Sequence, residues 1–479
     1  MDGDSGDKTL SARLEPITKI NMINHFYTEI AHSFPHTYLA DDLASISVMG
    51  SGNLPSWFAV SDLATASIAT AGLMLSRLIS TKTDSQSHIS VDRRLASFWF
   101  KSTLRPIGWE MPAVWNKVAG IYRTTDGWIR LHTNVPAHRA AALSVLSVPE
   151  DRDAVTKAVA GWERETLMNA IVEAGGCAAA LNSIDEWQQH PQGAAVAQEP
   201  LIHWAEHGAI SSDRNTTLLD PSRPLAGLRV LDLTRILAGP ISTRFLAAYG
   251  ADVLRIDPPG WNEPGNIPEV VLGKRCACLD LRQTSDRSTF ETLVQHADLL
   301  VHGYRPGALA GLGYGPNTLR GINPSLINVS LNAYGWTGPW ATRRGFDSLV
   351  QMSSGIADFG MKQEDAGSPI PLPAQALDHA TGYLLAAAAL HALHRRQQGG
   401  TISSARLSLA RVAHLLIPTR LQQKSGGLTH ERAADLAPDI EETTWGDAQR
   451  IRFPLAIGGI EASWPYPARA LCSAKPIWV

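Results

Sequence analysis

Three features of this sequence predict an α/β fold with a doubly wound, mostly parallel Rossmann-like sheet and a smaller α+β domain. Short apolar strands alternate with helical segments from Leu225 onward. The connections between those strands are long enough for parallel crossovers. A hairpin and a cluster of helices earlier in the chain follow a different pattern. The alternation begins with "LRVLDL" (228–233), a strand, then "GPISTRFLAAYG" (239–250), a helix stopped by Gly250, then "ADVLRID" (251–257), a second strand. Strand, helix and strand within about 30 residues make a right-handed parallel unit. The order repeats with "CACLDL" as strand, "TSDRSTFETLVQHA" as helix, "DLLVHGY" as strand, "PNTLRGIN" as short helix and "LINVSLNAY" as strand. Ligands of such sheets sit in the crevice beyond the carboxyl ends of the strands.

The first half reads differently. Residues 59–79, "AVSDLATASIATAGLMLSRLI", form a helix opened by Asp62, and 91–100, "VDRRLASFWF", a second helix. "GIYRTTDGWIRLHTN" (120–134) alternates around Asp126-Gly127 as a hairpin does. Helical patterns over 151–182 run to the pair Gly175-Gly176, suited to a C-cap. The polar stretch 207–224 reads as a linker. An internal repeat ties the halves together. Asp62-Leu63-Ala64-Thr65 and Asp378-His379-Ala380-Thr381 both open small-residue helices, and each is followed by a second helix bearing Arg and Leu.

The chain has 479 residues, enough for two or three domains, with 44% hydrophobic and 18% charged residues, the profile of a folded protein. A formal net charge of −3 from 42 basic and 45 acidic residues argues against a nucleic-acid binder. Cys177, Cys276, Cys278 and Cys472 are too few and scattered for a disulfide framework, and no second Cys/His pair follows the Cys276/Cys278 pair to make a metal site. The longest apolar run, 384–390, is too short to cross a bilayer, and the polar N-terminus lacks a leader's apolar core, so a cytoplasmic protein is expected. The loop "TRILAGP" after the first strand is not G-x-G-x-x-G, and no phosphate-loop motif occurs.

From Pro224 onward the sequence resembles the class III CoA-transferase (CaiB–BaiF) family. The resemblance rests on "PLAGLRVLDLTRILAGP" (224–240), "GADVLRIDPPG" (250–260), "GKRCACLDL" (273–281) and "YRPGALAGLGYG" (304–315), continuing through "INPSLINVSLNAYGWTGPW" (322–340), "RGFDSLVQMSSG" (344–355) and "LDHATGYLLAAAALHAL" (377–393). The first half is similar to the later part of the same family, so the chain reads as a duplicated, reordered two-half form. This implies a partial copy over 1–206, a linker over 207–224, a nucleotide-binding-like domain with the catalytic aspartate over 225–420, and a C-terminal extension returning to the sheet over 421–479. The nearest counterpart of the family's glycine-rich cover loop is Ser425-Gly426-Gly427.

The resemblance implies a function: transfer of CoA from an acyl-CoA donor to a small carboxylic acid through an aspartyl-acyl anhydride on Asp378. A helix N-terminus favours such a carboxylate by about 0.3–1 kcal/mol. The purely structural alternative for Asp378 is an N-cap. Asp62 is expected to be a cap, because it has Ala66 where Asp378 has Gly382, a position expected to leave room for a thioester. The family positions assign coenzyme A, a co-substrate with no cofactor permanently bound, to Arg235, Ala238, Lys274, Arg275 and Arg305. No metal and no membrane or nucleic-acid partner is expected, and the chain is expected to be a homodimer or internally pseudo-dimeric. Two other readings stay open: an acyl-CoA racemase, epimerase or isomerase on the same scaffold, and a non-catalytic CoA-binding protein. Related racemases carry a histidine where Phe346 stands here, and a phenyl ring moves no proton.

Overall fold

The computed structural model describes residues 22–35, 44–83, 87–209, 220 and 222–479. Its frame is a seven-stranded sheet. The strands are β1 (His203–Ala209), β2 (Arg229–Leu233), β3 (Asp252–Asp257), β4 (Arg275–Cys278), β5 (Leu299–His302), β6 (Ile327–Asn332) and β7 (Thr401–Ser408). Their order is β4-β3-β2-β5-β6-β7-β1. All neighbours run parallel except β7 and β1, where Ala405 faces Trp204 and Arg406 faces His203 in an antiparallel pair. The chain winds outward in one direction through β3 and β4, then crosses back over β2 to continue through β5, β6 and β7. The crevice between the ends of β2 and β5 is therefore the topological switch point.

Two long helices form the centre of the core. They are α1 (Val60–Thr83) and α4 (Ala376–Gly399), and they pack against each other. Both are rich in alanine and other small residues along the shared face, with Leu63, Ala66 and Ile68 of α1 and Ala380, Leu384 and Ala387 of α4 in one buried cluster. Small side chains let the helix backbones approach closely, and the larger buried aliphatics contribute about 1.5–3 kcal/mol each. By length and composition Val60–Thr81 is apolar enough to cross a bilayer, but 89% of its apolar window is buried inside the protein. The sequence pattern had pointed to 384–390 as the longest apolar run. Threonines and serines, whose hydroxyls bond back to α1's own carbonyls (Thr65 to Ser61, Thr70 to Ala66), had hidden this longer one.

The repeat seen in the sequence has a spatial counterpart. In the first half, strand Ile46–Met49, helix α1 and strand Ile89–Asp92 form a parallel unit, and Asp92 caps the next helix, Arg93–Trp99. In the second half, β6, α4 and β7 do the same, and Ser408 caps α5 (Leu409–Leu416). Each unit then accepts an antiparallel strand from the other half. Strand β1, from the first half, pairs with β7, and Leu455–Ile457, from the end of the chain, pairs with Ile89–Asp92. Within the extension over 421–479, Leu455–Ile457 joins the smaller sheet, while the Ala474 N–H donates to Cys276 O on edge strand β4 of the seven-stranded one. A third small sheet, Gly120–Arg123, Trp128–Leu131 and Ala178–Ala180, holds the expected hairpin and packs with the helices over 136–173.

Two expectations need correction. The stretch from 207 does not begin as a linker: His207 to Ala209 end β1, held there by a hydrogen bond between His207 Nε2 and Ser404 Oγ at 2.8 Å. Residues 210–219 and 221 lie outside the described residues. Cys278 and Cys472 form a disulfide with a Cα–Cα separation of 4.9 Å, tying the C-terminal segment to edge strand β4. Spacing gave no sign of it, because the two cysteines are 194 residues apart. Cys177 and Cys276 are free and buried.

Gly382 serves packing between helices. A Cβ there would lie 2.5 Å from the carbonyl oxygen of Ala238 and 2.8 Å from Ile241 Cβ, both on α2 (Ala238–Ala248). The expectation that this glycine makes room for a thioester is replaced: its absent side chain makes room for α2. Gly382→Ala is expected to lower stability by about 1–3 kcal/mol in chemical denaturation, the range of an overpacked core, and to displace the first turn of α2.

Candidate functional site

A crevice of about 290 Å³ opens at the switch point. Its walls come from the loop after β2 (Thr234, Arg235, Ile236), the start of α2 (Ala238, Gly239), the loop after β5 (Gly303, Tyr304, Arg305) and the end of β6. Asp378 forms part of the floor, and Val135 and His138 of the first half close one side with Arg343, Arg344 and Phe346. The two halves of the chain therefore share one site.

The loop after β2 is held from beneath by a buried polar network. Asp232 accepts from Thr234 N–H and Oγ1 and from Thr243 Oγ1, and Lys274 Nζ donates to Asp232 Oδ2 at 3.0 Å and to Pro240 O at 2.9 Å. Ile236 sits at φ +65°, a conformation strained for a β-branched residue, and its N–H bonds Glu263 at 2.7 Å. Glu263 is tied to Arg255, and Arg255 to Asp257. Leu237, the N-cap of α2, offers no side-chain acceptor, so the first N–H groups of α2 need partners from elsewhere in the fold.

Asp378 lies in the first turn of α4 and is 8% exposed. It does not act as an N-cap. Its own N–H donates to Asp347 Oδ2 at 2.9 Å, so Asp347, from the first turn of α3 (Asp347–Ser353), satisfies the start of α4 from another helix. The Asp378 carboxylate is thereby released from capping and accepts the N–H of Ala238 at the start of α2. Burial and the neighbouring Asp347 charge raise the Asp378 pKa well above the carboxylate range, while the Ala238 bond pulls the other way. Burial lifts Asp347 to about 6, opposed by its hydrogen bonds from Asp378, Gln351 and Leu377 and by the Arg130 charge. The carboxyls titrate as a pair.

The sequence-assigned cations divide. Arg235 lines the crevice, its guanidinium over the Trp261 ring at 4.4 Å, 3.1 Å from Tyr304 OH and 3.5 Å from Asp257. Ala238 and Arg305 line it too, and Arg305 is exposed. Lys274 and Arg275 do not. Lys274 is fully buried under the loop, and burial draws it down to about 8 against the pull of Asp232. Arg275 points to the outer edge of the sheet, with both carboxylate oxygens of Asp252 at 2.9 Å and Ile477 O at 2.6 Å. Ser425-Gly426-Gly427 docks on Asn53 and Ser56, away from the crevice. His379 stacks on Phe100 and is buried, which with nearby Arg244 lowers it to about 3, so it takes no part here. Asp62 is a partner rather than a cap: both its oxygens hold Arg93, at 2.9 and 3.0 Å.

Sequence reasoning missed what the first half adds. His132 stacks on Phe346 at 3.7 Å between ring centroids, and His138 meets the same ring edge-on. Burial, with Arg130 and His138 beside it, lowers His132 to about 3; burial and the Arg344 charge lower His138 to about 4. Both imidazoles are therefore neutral near pH 7. Asp347 was legible in principle, as an acid opening a helix directly after Gly345-Phe346. Among the described residues no three His, Cys, Asp or Glu side chains come together as a metal site.

Comparison with known proteins places part of the chain. Residues 225–441 match the family model of CoA-transferase family III. A probable fatty acyl-CoA transferase of Mycobacterium tuberculosis is 34% identical over 208 residues, covering 40% of this chain and 52% of that protein. An acyl-CoA transferase of Gibberella moniliformis is 27% identical over 362 residues, covering 70% and 62%. The chain thus spans about half to three-fifths of these relatives' lengths. Among solved structures, a CAIB/BAIF family protein from Brucella suis aligns with 27% identity and a TM-score of 0.38, covering 47% of this chain and 65% of that one.

Two outcomes follow for the carboxylates. Asp347→Asn keeps an acceptor for the Asp378 N–H but removes the like charge, so the Asp378 pKa should fall. In a pH–rate profile the acidic limb should move to lower pH; an unmoved limb means that the pair is not coupled. The sign for stability also follows. A carboxyl whose folded pKa is raised binds protons more tightly in the folded state, so stability is lost as pH rises from the unfolded value, about 4, through the raised one. Urea melts of the wild type should show that loss beginning near pH 4, running through about pH 6 for Asp347 and continuing above it for Asp378, and Asp347→Asn should reduce it. Asp62→Asn should cost about 1–3 kcal/mol by weakening the Arg93 pair, with turnover spared.

Proposed function

Residues 225–441 match the model of CoA-transferase family III, and from that match we propose that this chain moves CoA from an acyl-CoA donor to a carboxylic acid acceptor, with Asp378 as nucleophile. The observation that carries the reading is the released carboxylate: a buried aspartate freed from capping by Asp347 and bonded to the first N–H of α2. An Asp378 oxygen adds to the thioester carbonyl, the C–S bond breaks, and an aspartyl-acyl anhydride and CoA thiolate result. The thiolate then adds to the aspartyl carbonyl and expels the donor acid, leaving an aspartyl-CoA thioester. The acceptor carboxylate repeats the sequence in reverse and leaves as its own CoA thioester. The Ala238 N–H that holds the ground-state carboxylate also lies where negative charge builds on the oxygen during these additions.

Water exclusion supports the same chemistry. An anhydride is lost to hydrolysis in an open site, and here apolar side chains (Phe346, Val135, Leu331, Leu409) surround the floor. Arg305 and Arg344 are exposed at the rim, where they suit the anionic groups of donor and acceptor. We further read the chain as two half-copies with one working site. Asp62 is locked by Arg93, whereas Asp378 faces the crevice completed by His138 and Val135 of the other half. The chain then carries its own pseudo-dimer.

Mass spectrometry after incubation with a panel of acyl-CoAs should show a covalent adduct on Asp378, absent in Asp378→Asn. That variant keeps the size and the hydrogen-bonding oxygen, so folding should be nearly unchanged. The racemase reading predicts rapid deuterium uptake next to the thioester of a 2-methylacyl-CoA in heavy water. With Phe346 in place and both histidines poor bases, uptake should stay at background. Adduct on Asp62, or fast exchange, would overturn the assignment.

A further inference from the structure

A second cavity, of about 440 Å³, lies on the other side of the wall formed by Tyr304 and Arg305. It exists because one face of the sheet is only partly covered. On β6 and β7 the residues Ile327, Val329, Leu331, Ala405 and Leu407 point into the helical core. Alternate positions point the opposite way, and there the side chains are Asn328, Ser330, Ser404 and Arg406, with His207 of β1 and His302 of β5 beside them. The chain between β5 and β6 supplies only two short helices, Ala308–Gly311 and Pro316–Ile322, to cover this face. A polar hollow remains where a doubly wound sheet ordinarily buries aliphatics.

The charge in this hollow is one-sided. Arg305, Arg320 and Arg406 line it, and no Asp or Glu does. Arg320 is oriented by His207 Nδ1 at 2.9 Å, and His207 in turn by Ser404. Arg406 is exposed and lies over the Trp336 ring at 4.9 Å. The buried atoms Asn328 Oδ1 and His302 Nδ1 have no hydrogen-bond partner among the described residues. Guanidinium groups converging without carboxylates favour a phosphate or carboxylate, and the volume exceeds what a lone phosphate needs. Tyr304 and Trp336 add flat apolar walls.

We propose that this cavity binds a phosphorylated nucleoside, its phosphates on Arg305, Arg320 and Arg406 and its ring against Tyr304 or Trp336. The ligand has two possible sources, a free nucleotide or the nucleotide end of a CoA thioester reaching over the Tyr304–Arg305 wall from the crevice. The phosphate chemistry is the same in both. Acyl transfer at Asp378 is not assumed: the adduct on Asp378 and occupancy of this cavity are read separately, so either can fail alone.

Titration calorimetry with adenosine 3′,5′-bisphosphate tests it. Binding is expected in the wild type and about tenfold weaker in Arg406→Gln, the effect of losing one charge-assisted contact. Ser404→Asp, which sets a carboxylate in the same wall, is a second variant and should weaken binding at least as much. Melting temperatures confirm that both variants fold. Displacement of the bisphosphate by CoA identifies the CoA end as the source, and simultaneous binding of both identifies a free nucleotide. No binding at concentrations up to about 1 mM, or equal affinity in folded Arg406→Gln and Ser404→Asp, overturns the proposal.

Discussion

Everything at the crevice depends on how closely α2 approaches α4. At Gly382 there is no Cβ to hold the helices apart, so the first turn of α2 comes down directly on the first turns of α4. Only at that distance does the Ala238 N–H reach the Asp378 carboxylate. The buried Lys274–Asp232 pair fixes the other end of the same contact by holding Pro240 O and the loop beneath it. An ion pair without solvent is weak evidence for stability, since desolvation offsets most of its attraction. Its value here is positional. It sets where a helix begins, and that start defines the hydrogen-bonding face of the site.

The second constraint is the economy with which α4 is capped. Helices need partners for their first N–H groups, and an aspartate in the first turn is the common solution. In this chain Asp347 takes that duty from a neighbouring helix, and Asp378 is left with a carboxylate that has no structural obligation. Two carboxyls in one buried place resist ionising together, and burial with the Asp347 charge holds the Asp378 pKa up. The same pairing ties reactivity to pH.

Much of this was legible from residues alone. The strands from Arg229 to Asn332 follow the alternation of apolar runs and turn residues, because each is short, largely buried and has glycine or proline close by. The crevice then follows from topology, and with it Arg235, Ala238 and Arg305. Lys274 and Arg275 were misplaced for one reason: a lysine–arginine pair opening a strand reads as exposed cation, whereas Lys274 points inward to a buried acid and Arg275 sideways along the sheet edge. His132, His138 and Arg130 were illegible as site residues because more than two hundred positions separate them from Asp347 and Asp378. Local pattern carries no information about which distant segment closes a pocket. The Cys278–Cys472 bridge was hidden by the same distance. The Asp62 pair with Arg93 was hidden because a first-turn aspartate looks identical whether it caps or binds a cation.

The exchanged strands have a consequence for how the molecule is made. Emerging from the ribosome, the first half can complete strand Ile89–Asp92 but not its outer neighbour, Leu455–Ile457, which is synthesised long after it. Until then an edge with unpaired backbone groups stands open beside a helix as apolar as Val60–Thr81. The seven-stranded sheet has the opposite history: β1 is ready before any strand it joins. The order of translation therefore leaves one sheet waiting and gives the other its border in advance, and a nascent chain of this protein is a natural client for a chaperone until Leu455–Ile457 arrives.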